Sequence, residues 1–405
     1  MSDDSSTLLH PKTVFDEWRS ISIGLYMALV GYGVMVGLPV ISTAWVTQLG
    51  FTEVEVGRVA GADLGGLAIG AVIASLFVAN INRRYLVLGS VAVAIGANAM
   101  CMVFVNYEWT LWLRLIAGIG SGAYTSVAIA TLSGCSKPAK IFNLLLFLFA
   151  FTQGGELLVL PMLSMDGIYM VFIGSYLVGL PFLNWMPSRP VDRSLDVEVD
   201  VEEASGKHHA EHRHVPAYVP WLVLGAVMFT YINIGAYWTY IELASAESEA
   251  SPDWVARLLV YTSVFSVIGC LVATLISNRF GLARPLLATL VFQAIIVGML
   301  ANGINNVNVM ISMFAFNFCW IFVDVYQMAT IANVDHSGRF AALLPGAQGL
   351  GQIIGPNIAA TLLAVGLGYR GVFIMCALSS LMAMLVYATM YVRLKKTIPA
   401  LADAS

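Results

Sequence analysis

Apolar residues run through this chain in long stretches that short polar segments separate. Twelve such stretches can be marked, each close to the about 20 residues with which a helix crosses a bilayer. A segment in lipid must be helical or belong to a closed barrel, and these runs lack the alternation of barrel strands. The pattern predicts twelve transmembrane helices with the approximate spans 20–48, 54–79, 85–106, 109–133, 140–164, 168–188, 217–245, 254–278, 283–303, 307–333, 339–367 and 371–394.

Composition supports a membrane protein. Of the 405 residues, 59% are hydrophobic and 11% are charged, whereas an ordinary soluble domain carries about 25% charged residues. The five cysteines lie within spans or at their ends, without the spacing of metal ligands, so we expect small apolar residues rather than disulfides. We therefore predict an all-α membrane protein.

Basic residues indicate the orientation of the chain. All but four of the 20 Lys and Arg residues lie in the N-terminus, the even-numbered loops or the C-terminus; the exceptions are Arg58, Arg114, Arg257 and Arg370. The positive-inside rule then predicts that both termini are cytoplasmic, in a multi-pass protein of the plasma membrane, which is the inner membrane in bacteria. The first 20 residues are polar and acidic, so no cleaved signal is expected.

One long polar stretch, residues 188–216, divides the twelve spans into six and six. The predicted units are a cytoplasmic tail at 1–19, a six-helix bundle at 20–188, a linker at 189–216, a second bundle at 217–394 and a tail at 395–405. A histidine cluster in the linker could bind a transition metal or sense pH, although a solvated linker is favoured. The cluster consists of His208, His209, Glu211, His212 and His214.

Two short strings recur at matching places in the two halves. Residues 153–161 read QGGELLVLP in span five, and residues 348–356 read QGLGQIIGP in span eleven, with Gly351 where the first copy has Glu156. The loops after spans two and eight, NINRRY at 80–85 and SNRFGLARP at 277–285, also correspond. Parallel repeats of six helices, with a solute site at the midplane between them, are a transporter architecture.

These features resemble the major facilitator superfamily over essentially the whole chain. The family's loop signature, approximately G-x-x-x-D-R-x-G-R-R, is matched by Asn278, Arg279, Gly281 and Arg284, and more loosely by Asn82, Arg83 and Arg84. Asn replaces the motif's Asp in both copies. The family's fourth-span motif is matched by Arg114 followed by Gly118, Gly120 and Gly122. The resemblance implies two six-helix bundles, alternating access, and a gating role for Arg83, Arg84, Asn278, Arg279 and Arg284.

Charged residues inside the spans are the next signal, because an ionised group at mid-bilayer costs about 2.5–3.5 kcal/mol. The candidates are Asp63, Arg114, Glu156 and Asp324. Arg114 either binds a substrate carboxylate in bidentate fashion or forms a structural ion pair with Asp63 or Glu156. Glu156 and Asp324, with Asp63 as a third candidate, are the expected proton-coupling residues, because buried carboxyl groups respond to cavity opening.

The resemblance also implies that spans one, four, seven and ten line a central cavity. Polar stripes at helical spacing follow span ten (Asn317, Trp320, Asp324, Gln327), span seven (Thr230, Asn233, Tyr237, Tyr240) and span four (Arg114, Ser121, Tyr124, Thr125). Such residues also join helices by packing; the cavity is favoured for span ten, and the alternatives are equal for span seven. The expected substrate-binding residues are Arg114, Tyr124, Asn233, Tyr237, Asn317, Trp320 and Gln327.

The favoured function is secondary active transport of a small organic solute, either an organic anion or an aromatic compound. We expect a monomer that takes the solute up with protons and needs no cofactor. The alternative is proton-coupled efflux of amphipathic drugs, although TQGGELLVLP matches poorly the G-x-x-x-G-P-x-x-G-G signature of antiporters. A lipid scramblase and a non-transporting sensor are remote alternatives. An enzyme is not expected, since no acid, His or Cys cluster has catalytic spacing.

Overall fold

The computed structural model describes residues 14–78, 81–135, 138–188, 216, 218–248, 250–276, 279–334 and 339–397. These residues form twelve long helices with short connections. Helix α1 consists of two segments, Trp18–Gly31 and Gly33–Leu49, and is followed by α2 (Glu53–Phe77), α3 (Arg83–Val103), α4 (Tyr107–Ser133), α5 (Pro138–Val159), α6 (Met165–Gly179), α7 (Val219–Ser245), α8 (Pro252–Ile276), α9 (Ala283–Met299), α10 (Asn306–Val334), α11 (Arg339–Ala364) and α12 (Gly368–Thr397).

The predicted transmembrane architecture is confirmed. Within the described residues, eleven helical segments are long and apolar enough to cross a bilayer. The remaining long helix, α11, has 26 residues, which is also sufficient at about 1.5 Å rise per residue. The order of helices follows the apolar stretches of the sequence one for one.

Polar residues between the spans set where helices begin. Thr52 caps α2 in a capping box, in which its side chain accepts from the Glu55 N–H and the Glu55 carboxylate accepts from the Thr52 N–H. Asn106 caps α4 through a single hydrogen bond, which its side chain accepts from the Trp109 N–H. Pro161 lies in a short 3-10 turn, Leu160–Met162, directly after α5 ends. It therefore terminates this helix, whereas Pro356 lies inside the continuous α11.

Helix α1 is interrupted at Tyr32, near its middle. Pro39 lies one to two turns further on and cannot donate a backbone hydrogen bond, so it weakens the helix in this region. The first segment packs against α4, α5 and α6, whereas the second segment packs against α2, α5, α6 and α7. This helix therefore contacts both bundles.

Helices α1–α6 pack on one another, and helices α7–α12 do the same. The tightest approach joins α2 to α4, where a methyl group on Gly66 would collide with the Leu115 carbonyl and one on Gly118 with the Asp63 carbonyl. Only glycine allows backbones to approach this closely. These contacts lie within one bundle, so they make that bundle rigid.

The bundles meet in a pseudo-symmetric pattern, in which α2 packs on α11 and α5 packs on α8. We call the side where α1 begins and α12 ends the terminal face, and the opposite side the distal face. At the distal face Arg58 donates to the carbonyl and Oδ1 of Asn357, at 3.1 and 2.9 Å, and to Thr361 Oγ1 at 2.8 Å. The Tyr240 hydroxyl donates to the Glu53 carbonyl at 2.8 Å. These bonds hold the two bundles together at the distal face.

Candidate substrate site between the bundles

A buried carboxylate lies near the middle of the second bundle, on α10. The Tyr231 hydroxyl of α7 lies 2.9 and 3.0 Å from the two carboxylate oxygens of Asp324 and donates to that carboxylate. Gln348 of α11 donates in turn to the Tyr231 oxygen, at 2.9 Å. Asp324 thus belongs to a chain of three hydrogen-bonded side chains on three helices. Tyr32, between the two segments of α1, is near enough to interact electrostatically with Asp324 from the other bundle.

A second polar contact joins the bundles directly. Gln153 of α5 donates to Asn317 Oδ1 of α10 at 3.1 Å, and its own Oε1 accepts from Ser266 of α8 at 3.3 Å. Gln153 and Gln348 are the corresponding glutamines of the repeated sequence string, and both face polar partners near the middle of the molecule. The sequence repeat therefore marks equivalent helices at one polar layer.

Aromatic side chains adjoin this polar layer. Trp320 of α10 lies 5.8 Å from Trp238 of α7, ring centroid to ring centroid, in an edge-to-face arrangement. The Trp238 indole N–H donates across the bundle interface to the Val36 carbonyl of α1, at 3.2 Å. An aromatic solute would find both ring faces and amide groups here, which is the usual composition of a small-molecule site.

Arg114 is enclosed within the first bundle, with an exposed fraction of 1%. Its Nε and Nη2 donate to Asp63 Oδ2 at 2.9 and 2.5 Å, and its Nη1 donates to Asn98 Oδ1 at 2.8 Å. The Tyr169 ring lies 5.7 Å from the guanidinium carbon. Each of these partners belongs to α2, α3 or α6, so the geometry matches an ion pair with Asp63 rather than with Glu156.

In the polar stripe of span seven, Tyr240 reaches Glu53 of the other bundle, whereas Tyr237 makes its contacts inside its own bundle. The Tyr237 hydroxyl is 2.8 Å from the Ser312 hydroxyl, and the Tyr237 ring stacks on Phe316. Asn233 is fully buried, and its amide atoms have no hydrogen-bond partner among the described residues. The face of α7 that meets α1 and α10 instead carries Tyr231 and Trp238, which the sequence pattern did not single out.

Two further predicted residues make contacts inside their own bundles. Tyr124 of α4 packs edge-on against Tyr176 of α6 at 5.2 Å, away from α10. Gln327 of α10 donates to Thr230 Oγ1 of α7 at 2.8 Å. Of the predicted substrate residues, the structure thus brings Asn317 and Trp320 to contacts near the bundle interface and places Arg114, Tyr124 and Tyr237 apart from them.

Two of the predicted gating residues, Arg83 and Arg84, bind groups of the first bundle. Arg83 donates to Thr131 Oγ1 at 3.2 Å and lies over the Phe15 ring. Arg84 donates to the carbonyls of Met186 and Asn184, at 2.9 and 2.8 Å. Arg279 and Arg284 lie at the connection between α8 and α9. Asn278 and the histidine cluster at 208–214 lie outside the described residues.

Glu156 projects from α5 toward α1 and α6. Its Oε2 atom is buried and has no hydrogen-bond partner among the described residues. Glycines at 33 and 37 leave room for it, because a methyl group on Gly33 would lie 3.1 Å from Oε1 and one on Gly37 would lie 3.3 Å from Oε2. This carboxylate thus lies against helices of its own bundle.

Glu242, an intramembrane acid near the distal end of α7, is not among the charged residues that the sequence singled out. Its Oε2 atom is buried and has no close hydrogen-bond partner within the part of the chain that the structure describes; the hydroxyl of Thr43 faces this carboxyl group from α1. Just beyond α7, partial burial and the neighbouring Glu53 charge raise the pKa of Glu247. The contacts at the distal face therefore include acidic groups from both bundles. Glu242 lies inside its predicted span, 217–245, so the sequence alone could have identified it.

Two six-helix bundles with a polar layer between them define the class of solute transporters that work by alternating access. A sequence profile described as Major Facilitator Superfamily matches residues 23–334. The chain belongs to this superfamily, as its loop motifs predicted, and it is a transporter rather than an enzyme.

Individual proteins that are named as transporters are also similar to this chain. The protein named Putative transporter AraJ, of Escherichia coli K12, is 22% identical over 90% of this chain and 93% of its own length. The gentisate transporter of Corynebacterium glutamicum is 22% identical over 93% of this chain and 88% of its own length. Among solved structures, the nucleoside transporter NupG superposes with a TM-score of 0.68 at 11% identity, covering 92% of this chain and 99% of that one. A structure of proton dependent oligopeptide transporters gives 0.69 at 15% identity, covering 96% and 99%.

Proposed function

We propose that this protein takes up a small organic solute, an aromatic carboxylate being the favoured class, together with protons. The observation that carries the proposal is the polar and aromatic layer between the bundles, in which Asp324, Tyr231 and Gln348 adjoin Trp320 and the Gln153–Asn317 contact. Gentisate, named for one relative, is an aromatic carboxylate, which supports this class of substrate.

Asp324 is the proposed proton carrier of the transport cycle. It lies at a helix position that Tyr32 of the other bundle approaches, so bundle movement changes the surroundings of its carboxylate. A carboxyl group that is buried in one state and hydrated in another releases its proton between them. Glu156 is a second proton site, beside Gly33 and Gly37 of α1. Arg114 is proposed as a structural residue, because Asp63 and Asn98 already engage its guanidinium.

The proposed moving units are the bundles 20–188 and 217–394, joined by the linker 189–216, with both termini in the cytoplasm of a bacterial inner membrane. The terminal face is then the cytoplasmic face. Closure at the distal face corresponds to a protein whose central site communicates with the cytoplasm. We propose that the monomer forms the complete pathway, because the polar layer is built from helices of one chain.

The test is uptake of gentisate into proteoliposomes under an imposed pH gradient. We expect Asp324→Asn to abolish pH-driven accumulation while exchange across equal pH continues, because the neutral amide cannot carry a proton. Asp166→Asn is the matched control, since Asp166 is an exposed acid at the start of α6. Undiminished accumulation in Asp324→Asn would exclude Asp324 as the carrier, and failure of the wild type to move gentisate would exclude this substrate.

A further inference from the structure

A second cavity lies within the first bundle, separate from the polar layer between the bundles. It has a volume of about 240 Å³ and is bordered by α1, α5 and α6. Glu156 and Thr152, one helical turn apart on α5, both line it. Gln153, one turn before Glu156 on the same helix, donates to Asn317 of the other bundle. Helix α5 therefore contributes side chains to both sites.

The polar groups of this cavity are hydrogen-bond acceptors. The Tyr26 hydroxyl donates to the Ser175 carbonyl at 2.6 Å, the Ser175 hydroxyl to the Phe172 carbonyl at 2.8 Å, and the Thr152 hydroxyl to the Leu148 carbonyl at 3.1 Å. A hydroxyl has one proton to donate. Each of these oxygens therefore offers only lone pairs to the cavity, as does the carboxylate of Glu156.

A buried carboxylate is costly unless it is paired or hydrogen-bonded. Glu156 Oε2 has no such partner among the described residues, and no Lys, Arg or His lines the cavity. When Glu156 is ionised, the missing complement is a positive group rich in N–H donors. An ammonium satisfies both needs, since charge-assisted hydrogen bonds to carboxylates are about twice as strong as neutral ones.

The remaining walls are apolar and aromatic. Phe172 and Tyr26 supply rings, whose faces attract organic cations. A cavity of about 150 Å³ suffices for benzene, so the larger volume here accommodates a ring with a short aminoalkyl chain. Val171 lines the cavity and is 40% exposed on the outer surface of α6, which places one wall of the site at the lipid.

We propose that this cavity binds an organic ammonium with an aromatic or aliphatic body, its charged nitrogen on Glu156. The site lies between α1, α5 and α6 and is distinct from the central substrate site. The α1 wall of the cavity is formed by Tyr26, Leu29 and Val30 of the first segment, so an occupant would contact the helix that reaches both bundles. It therefore fits a modulator of transport rather than the transported solute.

The test is thermal stabilisation of the purified protein by 2-phenylethylamine, with 2-phenylethanol as the uncharged probe of the same shape. Ligands that bind the folded state raise its apparent melting temperature. We expect the amine to stabilise the wild type and the alcohol to have no comparable effect. Glu156→Gln should lose the stabilisation, and Glu242→Gln, which removes another buried carboxylate, should keep it.

Thr152→Leu provides an independent variant that keeps Glu156 and reduces the cavity, and we expect it to lose the stabilisation as well. The proposal is overturned if the amine fails to stabilise the wild type, if the alcohol stabilises it equally, or if Glu156→Gln or Thr152→Leu retains the effect. The measurement needs no pH gradient and no transported solute. Its failure is thus distinguishable from failure of the uptake proposal.

Discussion

Each hydrogen-bond acceptor for the Arg114 guanidinium belongs to a neighbouring helix of the same bundle. Asp63 and Asn98 take up three of its N–H groups, and Tyr169 covers the guanidinium. A substrate carboxylate would have to displace Asp63 from a buried position. This arrangement favours the structural alternative of the two that the sequence left open.

Asp63→Asn should therefore destabilise the protein strongly, because it leaves an uncompensated buried cation. Breaking a buried pair from one side costs about 3–5 kcal/mol, whereas replacing both partners by apolar residues costs much less. We expect the double variant Asp63→Leu with Arg114→Met to melt at a higher temperature than Asp63→Asn. If Arg114 instead binds the substrate, the single variant Arg114→Met should melt at a near-normal temperature and lose solute binding.

At the scale of the helix, α7 shows why polar periodicity did not locate the site. Its 27 residues are mostly buried, because α7 contacts α10, α11, α12 and the second segment of α1. Polar residues of α7 therefore make contacts on several faces of the helix. Tyr237 meets Ser312 inside the bundle, whereas Tyr231 meets Asp324 and Trp238 reaches across to Val36. A polar stripe in the sequence of such a helix identifies one face of the helix, but not the helix that this face contacts.

The limits of the spans were predictable because hydropathy is a local property of sequence. The transmembrane requirement also made the charged residues conspicuous, so Asp63, Arg114, Glu156 and Asp324 were identified. Their partners were not predictable in the same way, since the Asp63–Arg114 pair joins positions 51 residues apart. The repeated glutamines were visible in the sequence, yet only the packing of α5 against α8 and α10 shows what Gln153 binds.

Acidic groups at the distal ends of α2 and α7 make closure of the distal face depend on pH. Glu247 has a raised pKa because of partial burial and the Glu53 charge, which belongs to the other bundle. A carboxyl whose pKa is raised in the closed state binds its proton more tightly there, so closure is favoured as pH falls through this pKa and disfavoured above it.

Glu247→Gln should therefore favour distal closure at neutral pH, by less than about 1 kcal/mol because the group is largely exposed. The measurement is the rate at which a membrane-impermeant maleimide labels Ser42→Cys, a buried position on α1. We expect slower labelling in the Glu247→Gln background at pH 7.5 and equal rates in acid. A faster rate at pH 7.5 would contradict the assigned repulsion.

At the scale of the whole molecule, two glycine contacts differ in whether the group opposite the glycine can move. Gly118 meets the Asp63 backbone inside the first bundle, whereas Gly61 of α2 meets mainly the Asn357 side chain of α11 in the other bundle. Backbone cannot move aside, but a side chain can. The same residue type thus serves permanent packing at one position and reversible docking at the other.

Replacing glycine by the larger valine should have different results at these two positions. We expect Gly118→Val to fold poorly, because the added methyl groups would strike backbone atoms within the bundle. Gly61→Val should fold, hold the distal face apart, and increase maleimide labelling of Ser42→Cys several-fold while transport is lost. Size-exclusion profiles and labelling rates measured together distinguish these outcomes, and equal behaviour of the two variants would contradict the rigid-bundle description.

The pairing of Arg114 with Asp63 has an electrical consequence. A membrane potential acts on net charge, at about 2.3 kcal/mol per elementary charge for each 100 mV. Because the two groups lie side by side in one bundle, a rocking motion carries their opposite charges through the same fraction of the field. The pair is electrically silent, and the voltage dependence of turnover is left to the solute, the travelling proton and carboxylates such as Asp324.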